Sequence, residues 1–155
     1  SRSEVAALAR SIIVNYRIYF VVDTLEYLQR GGRIGKAQAF LGTVLNVKPV
    51  CTIKDGIIFP HEKVRGRKKA IDRMVQLLSD GFDGDGPVFC FMTHGNDPDG
   101  MEYLQGLVRE RLNCSEIFES QMGSVVGTHV GPGVLGVSVC PAEYLQPRPQ
   151  GSANR

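Results

Sequence analysis

The sequence predicts an α/β domain of two layers, a mixed β-sheet with helices packed on it. Two observations carry this. Strand and helix signals alternate through the second half of the chain, whereas the first half contains a hairpin. Only three long amphipathic patterns are present, which favours two layers over three. With 155 residues, 43% hydrophobic and 22% charged, the chain can bury one sizeable core and has the composition of a globular domain.

The elements follow in order. Ser3 can cap a helix beginning at Glu4, with Val5, Leu8, Ala9 and Ile12 at helical spacing. Arg17 to Val22 is a strand signal with apolar residues on both faces. Asp23 or Thr24 caps a short helix through Leu25 and Leu28, which Gly31 and Gly32 stop. Lys36 to Leu41 is a second short helix, closed by Gly42. Lys48 to Lys54, then Asp55-Gly56, then Ile57 to Phe59 reads as a hairpin. Arg67 to Leu78 places Ala70, Ile71, Met74, Val75 and Leu78 on one helical face. A Gly/Asp loop over 80–86 leads to an apolar strand, Pro87 to Met92. Asp97-Pro98 opens a helix whose apolar face is Met101, Leu104, Val108 and Leu112. Glu116 to Glu119 and Val134 to Val139 are the last strands. The domain spans 1–145, and the polar, proline-bearing 146–155 reads as a disordered tail.

Several function classes are disfavoured. A net charge of +2 does not point to nucleic acid or an anionic membrane. No apolar run approaches membrane-spanning length and no signal peptide opens the chain, so an integral membrane protein is not expected. Cys51, Cys90, Cys114 and Cys140 form no Cys-x-x-Cys pair, which removes the usual zinc and thioredoxin spacings. They read as reduced thiols of a cytoplasmic protein, with Cys51, Cys90 and Cys140 in or beside apolar strands. His-Glu-x-x-His, a Walker loop and Gly-x-Ser-x-Gly are absent. Gly131, Gly133 and Gly136 match Gly-x-Gly-x-x-Gly but lead into a strand instead of opening a helix. No nucleophile stands beside a base, so no residue is assigned a catalytic role and no metal or cofactor is expected.

Three stretches exceed what plain loops need. In Leu28-Gln29-Arg30-Gly31-Gly32-Arg33-Ile34-Gly35, paired glycines permit close backbone approach and Arg33 can be held toward a ligand. The same residues fit a helix C-cap with a solvated arginine. Lys63-Val64-Arg65-Gly66-Arg67-Lys68-Lys69 carries five basic residues in seven. It fits a phosphate or acidic-partner site, or a solvated helix start, although cations there oppose the helix macrodipole. Gly123 to Gly133 surrounds His129 and Thr128 with glycines, including Gly127 and Gly131. Such a loop can offer backbone N–H groups to an anion, with His129 donating to a carboxylate or phosphate. The plainer reading is a turn with a surface histidine. His61 and His94 read as ordinary loop or strand-end residues.

Together these stretches resemble the DegV family. The resemblance rests on Val22-Asp23-Thr24-Leu25-Glu26-Tyr27-Leu28 running into Gly31-Gly32-Arg33-Ile34, and on Leu41-Gly42 with Leu45-Asn46-Val47-Lys48-Pro49. Lys63-Val64-Arg65-Gly66 and Gly127 to Gly133 follow in the family's order, over roughly Tyr19 to Val139. It implies the carboxyl-terminal domain of a two-domain protein, a two-layer domain with a mixed sheet of about six strands. It implies that a long-chain fatty acid of the palmitate, stearate or oleate class lies between the domains. Its carboxylate would be presented to a separate ATP-dependent fatty acid kinase subunit, which makes acyl phosphate.

Carried over by motif, His129 binds the carboxylate, with Gly127, Thr128 and Gly131 shaping the site. Arg33 and Arg65 serve engagement with the kinase subunit or the forming acyl phosphate. Leu28, Ile34, Phe40, Leu41 and Val126 lie in or beside the motifs and are acyl-tunnel candidates. The family's amino-terminal domain, with the Ser and Thr hydroxyls of the carboxylate site, is expected to be absent from this chain. Two alternatives stay open: a DegV-like terminal module of a dihydroxyacetone-kinase-like fusion enzyme, and a protein-interaction module without a ligand.

Overall fold

The computed structural model describes residues 1–42, 46–81 and 86–145. Leu45, most of the expected 80–86 loop and the expected 146–155 tail lie outside the described residues. Six strands form one mixed sheet: β1 (Arg17–Val21), β2 (Val47–Lys54), β3 (Ile57–Arg65), β4 (Val88–His94), β5 (Cys114–Gln121) and β6 (Leu135–Pro141). Their order is β3-β2-β1-β6-β4-β5. Every neighbouring pair is antiparallel except β4 with β5. That pair is parallel because a helix, α4 (Pro98–Arg111), crosses over between them.

The hairpin forms as its turn demands. Asp55 and Gly56 take φ of 52° and 73°, the two left-handed conformations of a type I′ turn. The strand after it runs well past the expected Phe59, to Arg65. Lys63 and Arg65 are therefore strand residues, and the helix start begins only at Arg67.

Two long helices, α3 (Arg67–Asp80) and α4, cover one face of the sheet. The expected apolar faces are buried at Ala70, Ile71, Met74, Val75 and Leu78 on α3 and at Met101, Leu104 and Val108 on α4, while Leu112 is the C-cap beyond α4 and only partly buried. They meet Val21, Met92, Leu135, Val137 and Val139 in the main core. Asp97 caps α4 by accepting the Gly100 N–H at 3.1 Å, with Pro98 in the first turn.

Because strand side chains alternate, Phe20 and Val22 point away from that core and into a second one. Short elements cover it: α2 (Glu26–Arg30), a 3₁₀ turn over Gly35–Phe40, and α5 (Ser124–Val130). The expected helix at Lys36 to Leu41 is this 3₁₀ turn. The stretch expected as a glycine loop between Gly123 and Gly133 contains α5.

The first helix, α1 (Arg2–Asn15), departs from expectation twice. Its cap is Ser1, not Ser3, because Glu4 then sits at the third helical position and completes a capping box. None of its residues is buried, so the Val5, Leu8, Ala9 and Ile12 face does not join the core.

Leu104 is fully buried between α4 and the sheet. Leu104→Ala is expected to lower stability by about 2–5 kcal/mol through lost burial and the cavity left behind. Val125→Ser, at a site 79% exposed, is expected to stay within about 0.5 kcal/mol of the parent. Urea denaturation measures both.

Candidate ligand site over the second core

Helix α2 is built by its flanks. The N-cap is Leu25, with no side-chain cap, so neither Asp23 nor Thr24 caps the helix as expected; Thr24 Oγ1 accepts the Glu26 N–H at 3.2 Å just ahead of it. At its end Gly32 N–H donates to Gln29 O at 3.1 Å and Arg33 N–H to Leu28 O at 2.9 Å. This bond pair is the Schellman closure, and it needs a left-handed residue, which Gly32 supplies at φ 65°. The turn leaves Arg33 exposed, its Nη1 donating to Gly31 O at 3.2 Å, and returns Ile34 to the second core.

Helix α5 packs on α2. Their contact explains why glycines stand where they do. A methyl group at Gly31 would collide with Nδ1 of His129. At Gly131 (φ 77°) it would enter the Tyr27 ring, and at Gly133 (φ 79°) the Asp23 carboxylate. The Asp23 to Gly32 stretch and the Gly127 to Gly133 stretch thus interlock as one site. Among the described residues, one buried side-chain nitrogen or oxygen lacks a hydrogen-bond partner, and it is His129 Nδ1.

The helical form of 124–130 corrects the expected anion-binding loop. Gly127 N–H donates to Gly123 O at 2.9 Å and Gly131 N–H to Gly127 O at 2.8 Å. Thr128 Oγ1 donates to Ser124 O at 2.8 Å. These donors are spent inside the helix, so Gly127, Thr128 and Gly131 shape the site without offering those protons to a ligand. Of the residues singled out in this stretch, His129 keeps an uncommitted polar atom.

A polar tie holds the same corner. Asp23 Oδ1 accepts from Lys48 Nζ and from Arg67 Nη1, each at 2.9 Å. Arg67 Nη2 also donates to Asp97 Oδ2 and to the Gly133 carbonyl. The cation that opposes the α3 macrodipole is thereby compensated by two carboxylates of the same chain. Sequence reading did not single out Asp23, Lys48, Arg67 or Asp97 for this role. The signal was present, since an arginine at a helix start calls for nearby carboxylates.

The other basic residues separate. Lys63 lies 4.8 Å from the Phe40 ring centroid. Arg65, exposed on edge strand β3, lines an open groove of about 450 Å³ with Glu62, Lys69 and Arg73. His94 Nδ1 accepts the Asp97 N–H at 3.0 Å, and His61 stands edge-on to Tyr19 with ring centroids 5.3 Å apart. Four tunnel candidates gather in the second core: Leu28 fully buried, with Ile34, Phe40 and Leu41 half-buried against it. Val126 does not join them and is 52% exposed on α5.

A family model described as an uncharacterised protein, DegV family COG1307, matches residues 1–142. The chain belongs to the DegV family. It is 40% identical over 124 residues to protein DegV of Bacillus subtilis, covering 80% of this chain and 44% of that protein. Among solved structures, a DegV family protein from Thermus thermophilus, described by its fatty acid binding, superposes with a TM-score of 0.85 at 34% identity. That match covers 91% of this chain and 51% of the other. A stearic acid-binding protein from Eubacterium ventriosum superposes with a TM-score of 0.78 at 28% identity, over 94% of this chain and 50% of the other. The chain thus spans about half the length of these relatives.

The interlock makes a sharp contrast between adjacent glycines. Gly31→Ala forces His129 aside and is expected to lower stability by about 1–3 kcal/mol, as overpacking does. Its His129 ring resonances shift in NMR spectra. Gly32→Ala meets no atom within 4 Å but strains a left-handed residue, at a cost of about 1–2 kcal/mol. It leaves those resonances in place.

Proposed function

We propose that this chain supplies one side of a fatty-acid site and acts as a carrier, with His129 meeting the acyl carboxylate. The observation that carries the reading is the unpartnered Nδ1 of His129, lodged against Gly31 beside an apolar cluster. Nδ1 is packed against Gly31, so Nε2 is the ring nitrogen left to meet the carboxylate. Fatty acid binding by the Thermus thermophilus relative and stearic acid binding by the Eubacterium ventriosum relative support this ligand class.

The energetics divide between tail and head. Each buried methylene contributes about 0.8 kcal/mol, whereas one charge-assisted hydrogen bond contributes about 1.5–3 kcal/mol. A tail of the palmitate, stearate or oleate class therefore sets affinity, and His129 sets where the carboxylate points. Half-buried Ile34, Phe40 and Leu41 line the tail's side of the site, fully buried Leu28 backs them, and Val126 stands at the rim. Gly127, Thr128 and Gly131 hold the helix that aims His129.

In this reading the oriented carboxylate meets a separate cytoplasmic kinase subunit. A carboxylate oxygen attacks the terminal phosphorus of ATP, the bond to ADP breaks, and acyl phosphate forms. Arg33 on its turn and Arg65 on the edge strand engage that partner or the developing phosphate. No residue of this chain acts as nucleophile or base.

Calorimetric titration of the delipidated full-length protein with palmitate and oleate, paired with acyl phosphate assays with the kinase subunit, tests this. His129→Ala is expected to weaken binding about tenfold, the equivalent of roughly 1.4 kcal/mol, and to reduce acyl phosphate further. His129→Gln keeps a donor and retains more of both. Arg65→Ala keeps binding and loses phosphorylation. Unchanged binding and phosphorylation in His129→Ala would refute the anchor. The 155-residue chain alone is expected to bind fatty acid more weakly than the full-length protein, because it supplies one wall.

A further inference from the structure

The ligand site makes no use of a second cluster at the far edge of the sheet. Cys90 of β4 and Cys114 of β5 lie 24 residues apart in sequence, yet their sulfurs stand 2.6 Å apart. The register explains the approach. Val88 faces Cys114 and Phe89 faces Glu116, so Ser115 is left without a partner on β4. A bulge of this kind re-aims the neighbouring side chains. Both cysteines are free, Cys90 fully buried and Cys114 half-buried. Cys51 and Cys140 are buried and have no such neighbour described.

We propose that Cys90 and Cys114 form a reversible thiol–disulfide redox site whose oxidant is a hydroperoxide. The environments divide the roles. Cys114 is the more accessible sulfur, and its thiol is held below its ordinary pKa by the Cys90 hydrogen bond, with Arg109 assisting against burial. Cys90 is held well above the ordinary range by its contact with Cys114 and by burial. Because Cys114 is the sulfur a peroxide can reach and Cys90 is closed off behind it, Cys114 is the thiolate that attacks and Cys90 the resolving thiol.

The chemistry balances in two steps. The Cys114 thiolate attacks one peroxide oxygen, the O–O bond breaks, and the alkoxide or hydroxide leaves to take a proton. Cys114 becomes a sulfenic acid. The Cys90 sulfur then attacks the Cys114 sulfur, the S–O bond breaks, and the hydroxide leaves as water with the Cys90 proton. Two thiols and one hydroperoxide give one disulfide, one alcohol or water from the peroxide, and one water. A sulfur–sulfur bond is about 2.0 Å long, so the two sulfurs already stand within bonding reach of each other. A thiol reductant reverses it by exchange.

The test uses the intact protein and near-stoichiometric hydrogen peroxide. Thiol titration is expected to fall by two of the four cysteines and to recover with dithiothreitol. Cys114 and Cys140 share a tryptic peptide, so cleavage after Glu116 or Glu119 is added before mass spectrometry. The cross-linked peptides are expected to contain Cys90 and Cys114. Cys114→Ser abolishes the loss of thiols, and Cys90→Ser leaves a sulfenic acid at Cys114 that dimedone traps. Oxidation falling first on Cys51 or Cys140, or running to a sulfinic acid at Cys114 while Cys90 stays free, overturns the proposal. The mapping of the parent protein decides the matter even where a serine variant fails to fold.

Discussion

The corner where the two cores meet depends on the ties made by Arg67. One guanidinium reaches Asp23 after β1, Asp97 at the cap of α4 and the Gly133 carbonyl before β6. These groups come from four separate parts of the chain, and each would be poorly placed alone. An arginine in the first turn of α3 opposes the helix dipole, and carboxylates at the ends of strands have no reason to converge. Together they compensate one another, and the planar fork of arginine suits several oxygens at once. Lysine at this position would offer one point charge and could not span the same acceptors.

That tie determines how closely the segments beyond it approach. With Asp23 fixed against Arg67 and Lys48, the chain enters α2 in a set direction, and Gly133 must pass the Asp23 carboxylate with no side chain of its own. Gly131 passes Tyr27 and Gly31 passes His129 under the same constraint. The glycines are therefore consequences of close packing between α2 and α5. His129 is held in this way by shape alone on its Nδ1 edge, which leaves its polarity unanswered by the protein. A half-buried imidazole so placed is preorganised, since little side-chain freedom remains to be lost when a ligand arrives.

Much of the fold was legible because its signals are local. Asp55-Gly56 fixes the hairpin, Asp97-Pro98 the start of α4, and the spacing of Ala70, Ile71, Met74, Val75 and Leu78 the buried face of α3. Local chemistry also misled. Gly127 and Gly131 read as loop glycines, yet each fits a helix, one inside it and one as its left-handed end. Ser3 and Ser1 are equivalent as isolated caps, and only the reciprocal Glu4 bond separates them. The glycines around His129 marked it as a candidate in the sequence. Its partner Gly31 was not legible as such, because the contact joins segments almost a hundred residues apart. The Cys90–Cys114 approach was hidden for the same reason: it exists only after α4 has crossed over and the register has slipped at Ser115.

The two faces of the sheet answer different demands. The face under α3 and α4 is closed by long helices that bury Met74, Leu78, Leu104 and Val108 completely. The other face is covered at one end by short elements and leaves apolar side chains in water. Phe91 and Phe118 alternate with buried Cys90, Met92 and the inward-packed Ile117, so they lie on this second face, stacked 4.9 Å apart and about two-fifths exposed. Val125 and Val126 project from α5 and Tyr27 from α2 over the same side. Apolar area kept in water forgoes about 25 cal/mol per Å², and that free energy is recovered by whatever covers it. The closed face supplies the stability, so the long helices form the framework on which the half-covered face is carried.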